Sequence, residues 1–264
     1  MGFSAEWLSL REPADHAARD KGLAQLAMRS AGTEPVIVDL GSGTGSTMRG
    51  IGACPERGAI WHLVDHDEDL LAQAATTHSA KVHTHTRDLT ALDALPLDGA
   101  TLVTASALLD LCGEDWLHGL ARRVAERGLP FYAALSYDGV MEWSIADDAD
   151  AEVVAAFNRH QRGDKGLGPA LGPDAATAAS RVFTTLGYVV VAADSPWRLG
   201  PAQAGLQREF LGGVGQAAAE AGSADARDWA ARRRARIPEA MCAIGHRDIL
   251  AVPPDLASQM LGAS

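Results

Sequence analysis

Residues 36–45, Val-Ile-Val-Asp-Leu-Gly-Ser-Gly-Thr-Gly, constrain this chain more than any other segment. An apolar run ending in Asp39 suits a strand buried on both faces, as in a parallel sheet. Gly41, Gly43 and Gly45 then follow at alternate positions. Glycines at that spacing let the chain turn sharply and bring backbone N–H groups against a ligand without Cβ clashes. Helix-forming residues resume after Ser46, so the loop opens a helix whose N-terminus favours a bound carboxylate or phosphate. Strand, glycine loop and helix together read as a nucleotide-type cofactor site.

The spacing separates two versions of such a loop. A dinucleotide fingerprint is G-x-G-x-x-G, whereas this chain has G-x-G-x-G, with Ser46 in place of the third fingerprint glycine. That points away from NAD. Asp39, Gly41, Ser42, Gly43 and Gly45 instead resemble the first motif of class I S-adenosyl-L-methionine (SAM) dependent methyltransferases. The next strand ends agree. Residues 59–65 form an apolar run closing on Asp65, 20 residues beyond Gly45, with His66 next. An acid there can accept hydrogen bonds from ribose hydroxyls. Residues 81–86 alternate in β fashion and run into Arg87, Asp88 and Leu89. This resembles the third motif of the family, which implies that Asp88 meets the adenine amino group and Leu89 gives backbone and apolar contacts. Residues 100–110 match the fourth strand and the loop beyond it, which places Ser106 at the cofactor and Asp110 near the site of transfer.

The resemblance implies an α/β fold, a doubly wound, seven-stranded, mostly parallel sheet, in one domain over residues 1–264. Residues 1–34 are expected as a helical brace, with one helix over 13–31. Helices are expected over 46–53, 67–77 (capped by Asp67), 114–128, 174–186, 203–221 and 225–236, and further strands over 130–135, 187–194 and 241–252. Ser136, Tyr137, Asp138 and Gly139 read as a turn at the cofactor edge. Residues 140–173 then form an insertion far longer than an ordinary connection, with a helical stretch over 150–160 and a glycine- and proline-rich loop. Some small-molecule methyltransferases place a substrate-covering insertion after the fifth strand, and the polar run Arg159, His160, Gln161, Asp164, Lys165 is expected to face substrate.

Methyl transfer asks the protein mainly to hold donor and acceptor in line. It requires no metal. If the acceptor is a hydroxyl or carboxyl, histidine is the suitable base; His160 is the first candidate and His246 the second. Tyr137, Asp138, Arg159, Gln161, Asp110 and Trp197 are the expected substrate contacts. A net charge of −11 disfavours nucleic acid as a partner, because phosphate binding rests on Lys and Arg. A small molecule is the expected acceptor. The three cysteines are widely spaced and form no C-x-x-C pair, so the cytoplasm is the expected compartment. No apolar run is long enough for a membrane span, and oligomeric state stays open between monomer and homodimer. Two other readings stand beside methyl transfer: a related aminopropyl transferase or NAD-dependent enzyme, and a methyltransferase-like protein that binds ligand without turnover.

Overall fold

The run of apolar residues before the glycine loop forms the centre of a parallel sheet, in a computed structural model that describes residues 3–51, 58–76 and 81–262. In chain order the elements are α1 (Ala5–Ala18), α2 (Lys21–Ser30), β1 (Val36–Leu40), α3 (Ser46–Ile51), β2 (Ile60–Asp65), α4 (Glu68–Thr76) and β3 (Lys81–Thr86). Then come β4 (Leu102–Ser106), α5 (Glu114–Glu126), β5 (Phe131–Trp143), α6 (Asp150–Gln161), α7 (Ala175–Thr185), β6 (Val189–Asp194) and β7 (Trp197–Leu199). The chain closes with α8 (Ala204–Glu220), α9 (Ala226–Ala235), β8 (Cys242–Val252) and α10 (Pro254–Gly262).

The strands lie in the order β3-β2-β1-β4-β5-β8-β6, with β7 pairing on β8 as well. β1 to β5 pair in parallel, and β8 runs antiparallel to β5, β6 and β7. Because β1 pairs with β2 on one side and β4 on the other, the chain reverses its direction of travel across the sheet there, and ligands of such folds bind outside the carboxyl ends of the strands at that switch point. The fold is the expected doubly wound α/β sheet, with an eighth strand, β7, that the sequence pattern does not signal.

Burial follows strand position. β1 and β4 are covered on both faces, whereas the edge strands β3 and β6 are largely exposed. One face of the sheet packs Val38, Leu40 and Phe131 against Leu117, Leu120 and Phe183. The other packs Ile37, Trp61 and Leu63 against Leu23, Ala27 and Leu71.

Three expectations change. The segment expected as one helix over 13–31 is two: α1 begins at Ala5, N-capped by Ser4, carries Pro13 internally, and ends before Arg19, while Asp20 caps α2 by accepting from the Leu23 N–H at 2.6 Å. Residues 136–139 are not a turn. They continue β5, which extends to Trp143 with register shifts against β8 at Ala133/Ser136 and Tyr137/Met141. Leu135 and Gly139 have positive φ, 57° and 91°, so the turn-type residues here mark bulges that bend a long strand. The insertion's first four residues, 140–143, therefore belong to the sheet. The expected helices over 46–53 and 67–77 are described as far as Ile51 and Thr76; their last residues, and Cys54, lie outside the described residues.

Candidate active site

The loop after β1 needs three residues with left-handed backbone, since Gly41, Gly43 and Gly45 have φ of 62°, 51° and 80°. Side chains rarely adopt that conformation, which explains glycine at each alternate position. The Gly43 N–H donates to Asp65 Oδ2 at 2.8 Å, and the Asp67 N–H donates to Asp65 Oδ1 at 3.1 Å. The carboxylate at the end of β2 thus fixes the loop after β1 and the start of α4. Asp67 in turn accepts from the Leu70 N–H, as a cap.

These loops border a cavity of about 360 Å³. Gly41, Ser42, Gly43, Asp65, His66, Asp88, Leu89 and Ser106, expected at the cofactor, all line it. Gly45 does not; it packs beneath the loop, beside Met48, Ala74 and Leu63. Asp39 is also below, fully buried, with Oδ1 accepting from Thr104 Oγ1 at 2.7 Å and Oδ2 unpartnered. Burial pushes its carboxyl up to about 7. The Asp88 carboxyl, in contrast, is exposed and held below its usual range by the Thr90 N–H, which donates to it at 2.8 Å.

The expected substrate contacts are placed elsewhere. His160 Nε2 lies 3.0 Å from Glu220 Oε2 on α8, away from the cavity lining, and Arg159 donates to the Ala221 carbonyl. Gln161 packs beside Gly172. Tyr137 is buried and its hydroxyl donates to Asn158 Oδ1, while Asp138 accepts from the Val140 N–H inside the bulged strand. Asp110 is outside the lining, its carboxyl pushed up to about 6 by burial. Trp197 stands one layer behind the cavity, its indole N–H donating to Asp15 Oδ1 at 2.8 Å. His246 is enclosed beside Trp197 and Tyr137 and pushed down to about 3, chiefly by burial. The helical period carries Arg159 and His160 round α6 toward the end of α8 and Gln161 toward Gly172, and the bulges of β5 hold Tyr137 and Asp138 within the bent strand.

Other residues complete the wall. From α1 and its flanks come Phe3, Leu8, Arg11, Asp15 and Arg19; beyond β4 come Ala107, Leu108 and Leu111, and from within β5 comes Leu135; from the insertion come Lys165, Gly166 and Leu167. Lys165 belongs to the polar run singled out in the sequence. Arg11 and Asp15 carried a weaker signal, an i, i+4 ion pair on a helix. Their bond is bidentate, 2.8 and 3.2 Å, with the Arg11 guanidinium 5.1 Å from the Trp197 ring centroid. Arg49 on α3 pairs with Glu12 and holds α1 over the glycine loop. Ala107, just past β4, and Leu135, at the first register shift within β5, are non-glycine residues with φ of 49° and 57°. Such strain collects where surrounding structure fixes a site; Asp248 Oδ1 accepts the Leu135 N–H at 2.8 Å, and the Ala107 N–H donates to the Ala134 carbonyl.

The lining suits SAM on three counts. Asp65 and Asp88 offer acceptors at neighbouring strand ends. Ser42 Oγ and Arg19 Nε are buried polar atoms without a partner at the wall. A Cβ at Gly43 would stand 3.0 Å from Leu8 Cδ1 and one at Gly41 3.2 Å from Leu108 Cδ1, so the cavity is narrow enough there for backbone to touch a ligand.

No family model matches the chain, and no curated protein matches it. Solved structures do. The cyclopropane synthase MmaA2 from Mycobacterium tuberculosis aligns over 94% of this chain and 94% of its own, at 12% identity and a TM-score of 0.50. Geranyl diphosphate C-methyltransferase from Streptomyces coelicolor A3(2) aligns over 88% of this chain and 80% of its own, at 14% identity and a TM-score of 0.47. Among the described residues no helix is long and apolar enough to cross a membrane. With the strand order, the antiparallel β8 between β5 and β6, and the alignment to the mycobacterial synthase, the chain has the fold of the class I SAM-dependent methyltransferases.

Proposed function

We propose that this protein is a SAM-dependent methyltransferase acting on a small-molecule acceptor, by O- or N-methylation, in a single domain whose insertion helps to enclose the acceptor. The observation that carries this reading is the convergence on one cavity of the alternate-glycine loop, Asp65, Asp88 with Leu89, and Ser106. Bound SAM supplies a methyl group already activated on a sulfonium. The chain's task is then binding, orientation and exclusion of water. Asp65 would accept the ribose hydroxyls, Asp88 and the Leu89 backbone would meet the adenine, and the glycine loop, whose Ser42 and Gly43 N–H groups are held by the Val64 carbonyl and by Asp65, would set a close backbone surface beneath the donor. Leu8, Leu108, Leu111, Leu135 and Leu167 give the cavity an apolar side that dries the path of transfer. Asp15 is engaged by Arg11 and Trp197, which leaves it poorly placed to take a proton. An acceptor that arrives as a nucleophile, held in line, fits this lining better than one that needs a strong base.

The test is a thermal-shift series with SAM, S-adenosylhomocysteine, NAD and decarboxylated SAM, since a ligand stabilises by an amount set by its affinity. SAM and S-adenosylhomocysteine should raise Tm and NAD should not. Asp65→Ala should weaken S-adenosylhomocysteine by about 2–4 kcal/mol in calorimetry, through loss of charge-assisted acceptors. A shift with NAD alone, or an unchanged affinity in the variant, would overturn the reading.

A further inference from the structure

Three arginines are buried among the described residues: Arg11, Arg19 and Arg233. Two of them are matched to a carboxylate, Arg11 to Asp15 and Arg233 to Asp150. Arg19 is not. At 4% exposure, its guanidinium donates to two neutral hydroxyls, Ser106 Oγ at 3.0 Å and Tyr132 OH at 3.5 Å, and its Nε has no partner. The carboxylates in its surroundings do not fill the gap. Asp248 is saturated by four donors, the Asp20 and Leu135 N–H groups and the Tyr132 and Ser195 hydroxyls. Asp39 stays under the glycine loop, bonded to Thr104. A buried guanidinium without a counter-anion is costly, so such a group at a cavity wall points to an anion brought by the ligand.

Position says which part of the ligand. Arg19 lines the cavity together with Ser106, its own partner, and Thr47, whose hydroxyl donates to Ser106 Oγ at 3.1 Å. Along the carboxyl edge of the sheet, the strand order sets Asp88 beyond β3, Asp65 on β2, the glycine loop after β1, and Ser106 with Arg19 at β4. Two strand spacings, about 10 Å, thus separate the ribose-side acid from Arg19. A nucleoside lying at the β2–β3 end would direct its amino-acid tail toward β4. The other cations in the lining are less available or lie on other elements: Arg11 is held by Asp15, and Lys165 is on the insertion, within 3.4 Å of the His160 carbonyl.

We propose that Arg19, at the junction of α1 and α2, binds the α-carboxylate of the methionyl moiety of SAM, an assignment that rests on the methyltransferase reading. A bidentate guanidinium–carboxylate pair would orient that tail and, through Ser106 and Thr47, tie α1 to α3 and β4 when ligand is bound. The test crosses a protein change with a ligand change. SAM and decarboxylated SAM, which differ only in the carboxylate, are titrated by calorimetry into the unmodified protein, Arg19→Met and Arg19→Lys.

The unmodified protein should prefer SAM by about 10- to 100-fold, and Arg19→Met should lose that preference while binding decarboxylated SAM within about 3-fold of the unmodified protein. Arg19→Lys keeps the charge and gives up the planar fork, so its preference should fall between. Parallel losses for both ligands in either variant, or full SAM affinity in Arg19→Met, would overturn the assignment by making Arg19 structural or irrelevant. If Arg19→Met does not fold, the Arg19→Lys pair of titrations decides by the same criterion. Failure of the unmodified protein to bind either compound would instead overturn the cofactor reading, and the subsite with it.

Discussion

Replacing Asp248 by asparagine tests how the floor of the site is built. The carboxylate is fully buried on β8 and accepts four hydrogen bonds: Oδ2 takes the Asp20 N–H at 3.0 Å and the Tyr132 hydroxyl at 3.1 Å, and Oδ1 takes the Leu135 N–H at 2.8 Å and the Ser195 hydroxyl at 2.6 Å. Asparagine has one oxygen to offer where aspartate has two. The hydroxyls can rotate and accept from the new amide, but the backbone donors cannot. Whichever position Nδ2 occupies, it confronts the N–H of Asp20 or of Leu135. Stranding one buried backbone donor costs about 1–3 kcal/mol, and the remaining bonds lose their charge assistance. The neutral amide is cheaper to bury, which offsets part of this. The net expectation is a loss of about 2–3 kcal/mol, or a Tm lower by about 5–10 °C for a chain of this size. Urea unfolding at fixed pH should show a lower midpoint with an unchanged slope. Because Leu135 borders the cavity in a left-handed conformation that Asp248 anchors, S-adenosylhomocysteine should also bind more weakly. A variant within about 0.5 kcal/mol of the parent at equal slope, a difference typical of ordinary surface changes, would refute the reasoning.

Three further outcomes are expected. Asp39 titrates near 7 in the folded protein and near 3.8 when unfolded, so between those pH values the native state holds a proton the unfolded chain has released, and Asp39 makes stability fall as pH rises. Asp39→Asn should therefore gain on the parent by on the order of 3 kcal/mol between pH 4 and 7 in urea titrations, and a constant difference would contradict the burial of a lone carboxyl. A Cβ at Gly113 would lie 2.6 Å from the Leu167 carbonyl oxygen, so Gly113→Ala should displace the insertion loop, cost about 1–3 kcal/mol and speed proteolysis over 163–169; unchanged cleavage would detach that loop from the cavity wall. His160→Ala removes only a partly exposed pair with Glu220, and turnover with any acceptor found should stay within about 3-fold of the parent, whereas a loss of about 100-fold in kcat with intact SAM binding would restore His160 as a base.

The cofactor half was legible because its features are local. Alternate glycines are demanded by the left-handed backbone at 41, 43 and 45, and an acid at each of two consecutive strand ends is a pattern within a few residues. Burial on both faces makes central parallel strands apolar throughout, so β1, β2 and β4 announce themselves. The rest of the cavity wall was not legible, since it is assembled from α1, the loop after β4, Leu135 within β5, and the loop at 165–167, segments spread along the chain from Leu8 to Leu167. The rotation of α6 sent His160 to Glu220, and two bulges turned an expected loop at 136–139 into strand. Neither outcome has a local signal, because each depends on what packs alongside. Arg19 shows the division most clearly. In the sequence it is one charge among many on a surface-like helix; only the closure of α1 over β4 takes it out of water and leaves it beside two hydroxyls and no carboxylate, and it is that loss of solvent, a tertiary event, that gives the residue its chemistry.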